Sequence, residues 1–143
     1  MYDVIVVGAG PAGNMTALKL SGMGHRVAVV DWRQNIGDKL CTGIVGAECV
    51  RRFPPDEAHV YHRGRAATVV SPAGKKYRIA REAPQAYIID RVAYVGSLAQ
   101  RAMDAGAEYV LGPRVTNIEF SNDEVTVLTR SGAGQGRYRA EMA

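Results

Sequence analysis

Three glycines at a fixed spacing lie near the start of the chain, in the stretch GAGPAG at residues 8–13. Gly8, Gly10 and Gly13 follow a run of branched apolar residues, VIVV at 4–7. Between a strand and a helix, the first glycine allows a sharp turn, the second lets the backbone approach a pyrophosphate, and the third lets the helix pack closely on the strand. A pyrophosphate would then face the helix N-terminus, whose free N–H groups and dipole favour negative charge without a basic side chain. The stretch lacks a Gly-Lys-Ser or Gly-Lys-Thr ending, which argues against a P-loop.

An acidic residue follows at the distance this chemistry requires. Asp31 ends the apolar run VAVVD, 23 positions after Gly8. A carboxylate in that place accepts hydrogen bonds from a ribose diol. The combination favours a dinucleotide site over a glycine turn of purely structural role. Asp31 fits the ribose of either NAD or FAD, and Arg33, two residues further on, keeps NADP as another alternative.

The elements that must position these residues follow from periodicity. Residues 2–7 predict a buried strand, Pro11 to about Met23 a helix, and residues 26–31 a second strand, which together form a right-handed βαβ unit. Ala12, Thr16 and Leu20 share one stripe of that helix, with the small residues Ala17 and Ala9 nearby, which permit close packing on the sheet. The remaining predicted elements are a short helix over 46–53, a β-hairpin over 66–80, a strand in AYIID ending at Asp90, a helix from Arg91 to about Ala105, a strand in AEYVLG, and three antiparallel strands over 115–120, 124–130 and 136–143. The predicted fold class is α/β: a Rossmann-like βαβ unit with a central parallel sheet, an antiparallel β insertion and a β-meander.

Composition restricts the function classes. The chain has 143 residues, 47% of them hydrophobic, and no apolar run near the ~20 residues that cross a bilayer. With no basic segment before the first apolar stretch, a secretory signal is not indicated, and we expect a cytoplasmic protein. Cys41 and Cys49 are the only cysteines, which excludes a disulfide scaffold and a four-cysteine site; we expect two reduced thiols and no metal. The net charge of +4 comes from scattered residues, so we expect a solvated basic surface, with an anionic substrate or membrane headgroup as the alternative and no nucleic-acid partner.

The sequence resembles the FAD-dependent oxidoreductases of the glutathione-reductase-like superfamily, and within it the geranylgeranyl reductase family. Nearly the whole chain takes part, through DVIVVGAGPAG, VAVVD, IGDKLCTGIVG and YIIDRVAYVGSLAQRAMDAGAEYVLGPRVTNIE. The resemblance implies that Gly8, Gly10, Ala12 and Gly13 line the FAD pyrophosphate and that Asp31 binds the adenosine ribose. It also implies that Cys41, Thr42 and Gly43 approach the flavin and that Arg91 contacts FAD, by a charge-assisted hydrogen bond to phosphate. Val115 matches the position whose backbone pairs with adenine.

The activity implied by the resemblance is reduction of isoprenoid (geranylgeranyl) double bonds by a flavin that NAD(P)H or another donor reduces. Cys41 is the one residue expected beside the reacting ring, in a proton-transfer role. The implied substrate is a small molecule or lipid, with peripheral membrane contact. The alternatives are a flavin monooxygenase of the aromatic-hydroxylase type and a non-catalytic module or subunit that binds FAD or NAD.

The sequence departs from the family pattern in three places. Asp31 stands where these flavoproteins usually have Glu, and the cysteine loop reads Cys-Thr-Gly. The family pattern also continues beyond YRAEMA into an Ala-Thr-Gly strand, a Gly-Asp segment and a substrate domain. We therefore expect residues 1–143 to be the N-terminal portion of an FAD/NAD(P)-binding domain, inactive by itself.

Overall fold

The structure, a computed structural model, describes residues 1–143. Its strands are β1 (Tyr2–Val7), β2 (Val27–Asp31), β3 (Ile44–Gly46), β4 (Val60–Gly64), β5 (Ala66–Val70), β6 (Lys76–Ala80), β7 (Ala86–Ile89), β8 (Glu108–Leu111), β9 (Arg114–Phe120), β10 (Val125–Ser131) and β11 (Gly134–Met142). Its helices are α1 (Pro11–Gly22), α2 (Ala47–Arg52) and α3 (Arg91–Asp104), with a 3-10 turn at Glu57–His59. The chain divides into two compact units, residues 1–38 with 95–143, and residues 39–94.

The first unit contains a six-stranded sheet in the order β8-β2-β1-β11-β10-β9. The strands β8, β2, β1 and β11 pair in parallel, whereas β11, β10 and β9 form an antiparallel meander. The predicted α/β class, with its parallel centre and its meander, is confirmed. Sequence periodicity did not show that the last meander strand lies parallel to the first strand of the chain.

Strand β2 explains why the centre of this sheet is stable. Its residues alternate between two cores: Val27 and Val29 join one cluster, and Ala28 and Val30 join the other. All four are at most 1% exposed. Side chains of a strand alternate between faces, so an apolar run without polar interruption indicates a strand covered on both sides. Burial on both faces fixes the position of Asp31, the residue at which the strand ends.

Helix α1 buries a different stripe from the one we predicted. Its buried residues are Asn14, Ala17 and Ser21, whereas Ala12 and Thr16 are exposed and Leu20 is half-buried. The small residues Ala17 and Ala9 are buried, as their predicted packing role requires, whereas the predicted stripe itself is not the buried face. The helix face that follows Gly13 comes so close to the phosphate loop that small and polar residues occupy it.

The second unit contains a three-stranded sheet, β3-β7-β4, and the separate hairpin β5-β6. The hairpin and the strand before Asp90 were predicted, and α2 lies within the predicted 46–53 helix. Strands β3 and β4 were missed, because they are short and mostly exposed and are defined by antiparallel pairing with β7. No helix in the structure combines the length and the apolar character needed to cross a membrane.

Candidate dinucleotide-binding site

The glycine loop connects β1 to α1 at the carboxyl end of the parallel strands. Gly8 has φ +111°, a left-handed value that favours glycine, and its N–H donates to the Val30 carbonyl at 2.8 Å. A Cβ on Gly13 would lie 1.9 Å from the Gly8 carbonyl oxygen, so only glycine permits this approach of helix to loop. Gly10 caps α1 and Pro11 occupies its first turn. The turn and packing roles predicted for Gly8 and Gly13 are therefore present in the backbone geometry.

Asp31 is joined directly to this loop. Its Oδ2 accepts a hydrogen bond from the Ala9 N–H at 2.8 Å, and its Oδ1 accepts one from the Arg33 N–H at 2.8 Å. The side chain remains 11% exposed. Each carboxylate oxygen can accept more than one hydrogen bond, so a ribose diol can still be bound at the exposed edge. The structure thus brings the loop and the acidic residue together, as the spacing predicts.

An aromatic and basic cluster lies next to Asp31. The Arg33 guanidinium is 3.7 Å from the Asp31 Oδ1 and lies 4.3 Å from the centre of the Trp32 ring. Arg114 lies 4.8 Å from the same ring, and the indole is 49% exposed. Val115 follows on β9, an edge strand of the sheet, where one side of the backbone faces no further strand. Arg33 was considered only as a residue for NADP, and no sequence pattern indicated that Arg33 and Arg114 lie against the same Trp32 ring.

The loop residues fit the pyrophosphate of a dinucleotide. A Cβ on Gly10 would meet no atom within 4 Å, so open space lies beside the backbone at the start of α1. Ala12 is exposed in the first helical turn, where N–H groups lack carbonyl partners within the helix. Backbone N–H groups and the helix dipole can hold the two phosphates without a Lys or Arg in residues 8–13.

The remaining candidate residues belong to the second unit and are described within it. Gly43 has φ +70°, and a Cβ there would lie 2.6 Å from the Ile89 carbonyl oxygen. The Gly43 carbonyl accepts from the Ile89 N–H at 2.9 Å, and the Lys39 carbonyl accepts from the Arg91 Nη1 at 3.0 Å. The segment between these anchors, residues 40–42, carries Cys41 and Thr42, both exposed. Arg91 and the Cys41 segment are therefore brought together.

Asp90 fixes the start of the helix that carries Arg91. Its Oδ1 accepts from the Ala93 N–H at 2.9 Å, an N-cap bond, and its Oδ2 accepts from the Tyr61 hydroxyl at 2.7 Å. These bonds, the Ala93 N–H first, lower the pKa of Asp90 from its ordinary value. Asp90 is therefore the N-cap of α3, and its second partner, Tyr61, lies on β4, a strand that the sequence did not reveal.

A buried polar residue beside the loop was also missed. Asn14 is fully buried and bonds to Ala9, Val95 and Tyr109. Burial raises the pKa of Tyr109 to about 12. The available sequence signal was an amide in a helix otherwise lined with small residues at GPAGNMTA.

Comparison with known proteins places this geometry in a family. Residues 2–142 match the pyridine nucleotide-disulphide oxidoreductase family. The chain belongs to this family, and its fold is the Rossmann-like FAD-binding fold.

Relatives of known name are about one-third identical to the chain over the aligned residues. The digeranylgeranylglycerophospholipid reductase of Methanosarcina mazei is 33% identical over 129 residues, which cover 87% of this chain and 32% of that protein. Digeranylgeranylglycerophospholipid reductase 2 of Methanococcoides burtonii shows the same identity and coverage. The chain spans about a third of the length of these curated relatives.

Solved structures show a similar fold. A geranylgeranyl bacteriochlorophyll reductase-like protein from Thermoplasma acidophilum superposes with a TM-score of 0.85 at 23% identity, covering 99% of this chain and 38% of that one. The anhydrotetracycline hydroxylase OxyS from Streptomyces rimosus gives a TM-score of 0.76 at 26% identity, covering 99% of this chain and 30% of that one. The fold is thus shared by proteins with reductase and hydroxylase names.

Proposed function

We propose that this chain binds FAD through the glycine loop and Asp31, as the N-terminal part of the FAD/NAD(P)-binding domain of a flavin-dependent oxidoreductase that reduces the double bonds of an isoprenoid, geranylgeranyl-type lipid. The observation that carries the proposal is the joined loop and acid, in which Ala9 donates to Asp31 while Gly13 closes against Gly8. The reductase names of relatives 33% identical support the choice of reaction and of lipid. A substrate of this kind comes from a lipid surface, so the proposal includes peripheral membrane contact.

Different residues bind different parts of the cofactor. Gly8, Gly10, Ala12 and Gly13 receive the pyrophosphate, Asp31 the adenosine ribose, and the backbone at Val115 the adenine. Cys41, Thr42 and Gly43 approach the flavin, and Arg91 contacts FAD by a charge-assisted hydrogen bond to phosphate. A bound FAD would supply the hydride-transfer chemistry between an electron donor, NAD(P)H or another, and the alkene, with Cys41 supplying the proton, while the protein would orient the cofactor and control the access of water and protons.

The cofactor assignment is tested by binding. The full-length protein, purified and passed through gel filtration with FAD, NAD⁺ or NADP⁺ in turn, is expected to retain FAD and to show flavin absorbance bands. A protein that stays colourless and retains NAD⁺ or NADP⁺ instead would overturn the FAD assignment. That comparison also decides among the nucleotides that Asp31 and Arg33 leave open on sequence grounds.

The reaction is tested separately on the FAD-loaded protein. After reduction without oxygen, addition of a geranylgeranyl lipid is expected to reoxidise the flavin and to yield a product with fewer double bonds. If reoxidation of the flavin requires oxygen and an aromatic compound is hydroxylated, the result would favour the monooxygenase alternative. The likeness to OxyS at 26% identity supports this alternative. If the protein retains FAD but catalyses neither reaction, the result would favour the alternative of a non-catalytic module that binds FAD.

Cys41 offers a sharp test of proton transfer, because Cys49 is a matched control. Both thiols are exposed, but only Cys41 lies between the anchors at Lys39 and Gly43. Cys41→Ala is expected to lower kcat about 100-fold with little change in the Kd for FAD, since a positioned proton donor contributes about 10²–10⁴-fold. Cys49→Ala should leave both unchanged. Equal kcat values for the two variants would remove Cys41 from the mechanism.

A further inference from the structure

Asn14 makes a complete set of hydrogen bonds inside the first unit. Its Nδ2 donates to the Ala9 carbonyl at 3.1 Å and to the Val95 carbonyl at 3.3 Å, while its Oδ1 accepts from the Tyr109 hydroxyl at 2.8 Å. The side chain is 0% exposed. A primary amide has two N–H donors, and here both are used. A buried amide with all of its donors satisfied has one preferred orientation.

The three partners determine that orientation. Two of them are carbonyl oxygens, which only accept, so the Nδ2 must face Ala9 and Val95. The Oδ1 must then face Tyr109, whose hydroxyl donates to it at 2.8 Å. Loss of the hydroxyl would leave the Oδ1 in a buried place without this donor, which costs more than the loss of an exposed hydrogen bond.

This orientation reaches the nucleotide loop through the Ala9–Gly10 peptide. Asn14 donates to the carbonyl of that peptide at 3.1 Å, and Asp31 accepts from the N–H of the preceding Gly8–Ala9 peptide at 2.8 Å. In a planar trans peptide, the N–H of the following residue points opposite to the carbonyl. The Gly10 N–H therefore points away from the buried amide, and a Cβ on Gly10 would meet no atom within 4 Å. Asn14 thus sets the direction of a backbone donor in the loop.

We propose that Asn14 and Tyr109 are positioning residues that orient the Ala9–Gly10 peptide for a pyrophosphate, so that affinity for an adenine dinucleotide depends on a β8 hydroxyl that does not touch the ligand. This inference rests on the proposed binding of a dinucleotide at the loop. It identifies residues that hold the loop in its conformation, which the spacing of the glycines does not identify. The pair links the loop to β8 and to the Val95 carbonyl of α3 through one side chain.

The test compares two tyrosine-to-phenylalanine substitutions in the full-length protein. Tyr109→Phe removes the hydroxyl that bonds to Asn14, whereas Tyr2→Phe removes one that bonds to the exposed Glu108 carboxylate at 2.6 Å. Tyr109→Phe is expected to weaken binding of FAD and of ADP by about tenfold and binding of adenosine, which lacks the pyrophosphate, hardly at all. Tyr2→Phe should leave all three dissociation constants unchanged. Circular dichroism confirms that each variant is folded at the assay temperature.

The outcomes separate positioning from stability. A lower Tm for Tyr109→Phe with unchanged FAD and ADP affinities would overturn the inference, as would an equal loss of affinity for adenosine. In a double-mutant cycle, Asn14→Ala with Tyr109→Phe should lose no more ADP affinity than Asn14→Ala alone, because the two residues act as one unit. If Asn14→Ala does not fold, the Tyr109→Phe comparison is sufficient.

A ligand-free measurement keeps this test distinct from the proposed function. The amide ¹H–¹⁵N resonance of Gly10 is expected to shift in Tyr109→Phe and not in Tyr2→Phe, because the Ala9–Gly10 peptide reorients. A wild type that binds neither FAD nor ADP would overturn the proposed function while this resonance still reports on the loop. A Gly10 resonance unmoved by Tyr109→Phe would overturn the positioning role itself.

Discussion

Gly13→Ala is expected to abolish retention of FAD and to lower the free energy of unfolding by about 1–3 kcal/mol, the usual cost of overpacking. The new Cβ would lie 1.9 Å from the Gly8 carbonyl oxygen and 3.3 Å from the Val6 Cγ1. The first contact is with backbone, which cannot rotate away as a side-chain end can. Either α1 moves off β1 or the loop changes shape, and both separate the backbone donors from the pyrophosphate. Gel filtration with FAD and urea unfolding measure the two effects.

Gly22→Ala is the matched control within the same helix. Gly22 is the last residue of α1, and a Cβ there would meet no atom within 4 Å. Because alanine has less conformational freedom in the unfolded chain, this variant should be unchanged or more stable, by up to about 0.5–1 kcal/mol, with normal FAD binding. If Gly13→Ala behaved like Gly22→Ala, close packing of α1 on the loop would not be required for the site.

Local patterns were sufficient to predict the part of the fold that carries the nucleotide loop. The apolar run of β1, the glycine spacing, and the acid at the end of β2 all act within 31 residues, so their geometry follows from short-range rules. The hydrogen bond from the Ala9 N–H to the Asp31 carboxylate shows that the predicted spacing brings the loop and the acid into contact. The hairpin β5-β6 was predictable for the same reason, because its turn residues are adjacent in sequence.

The missed features depend on partners that are distant in the chain. Strands β3 and β4 exist because β7 pairs with each of them, and their own sequences lack a strong alternation. The parallel pairing of β11 with β1 joins the two ends of the chain. Asn14 is buried without penalty only because Tyr109 and Val95, 95 and 81 positions away, supply its partners. The predicted stripe of α1 therefore did not include Asn14, although Ala17, which was predicted to pack closely, is buried.

Asp31→Asn is expected to weaken FAD binding by about 10- to 100-fold, since a hydrogen bond to a charged group contributes about 1.5–3 kcal/mol and each 1.4 kcal/mol is a factor of ten. The carboxylate accepts from two backbone donors, the Ala9 and Arg33 N–H groups, each at 2.8 Å. An amide has one oxygen, so its NH₂ would face one of these donors. The variant also loses the negative charge that favours a ribose diol. Titration of flavin fluorescence measures the change.

Asp3→Asn is the control, because Asp3 makes the equivalent contacts at the opposite end of the same strand pair. Asp3, on β1, accepts from the Arg26 N–H at 2.7 Å just before β2, whereas Asp31, on β2, accepts from the Ala9 N–H just after β1. Asp3→Asn is expected to weaken the contact with the Arg26 guanidinium and to leave FAD affinity unchanged. A loss of affinity common to both variants would show that the carboxylate acts through the stability of the β1–β2 pair rather than at the ligand.

The same variant distinguishes FAD from NADP at the loop, because the two nucleotides respond to Asp31 with opposite sign. A 2′-phosphate is repelled by the Asp31 carboxylate and attracted by Arg33, whose guanidinium lies 3.7 Å from that carboxylate. Asp31→Asn removes the repulsion and leaves the arginine, so NADP⁺ affinity should rise where FAD affinity falls. If Asp31→Asn lowers the affinity for FAD and the wild type does not bind NADP⁺, the result supports the interpretation that Asp31 binds a ribose diol. If the wild type binds NADP⁺ more tightly than FAD, and the Asp31→Asn variant binds NADP⁺ more tightly than the wild type does, the loop binds NADP⁺ rather than FAD.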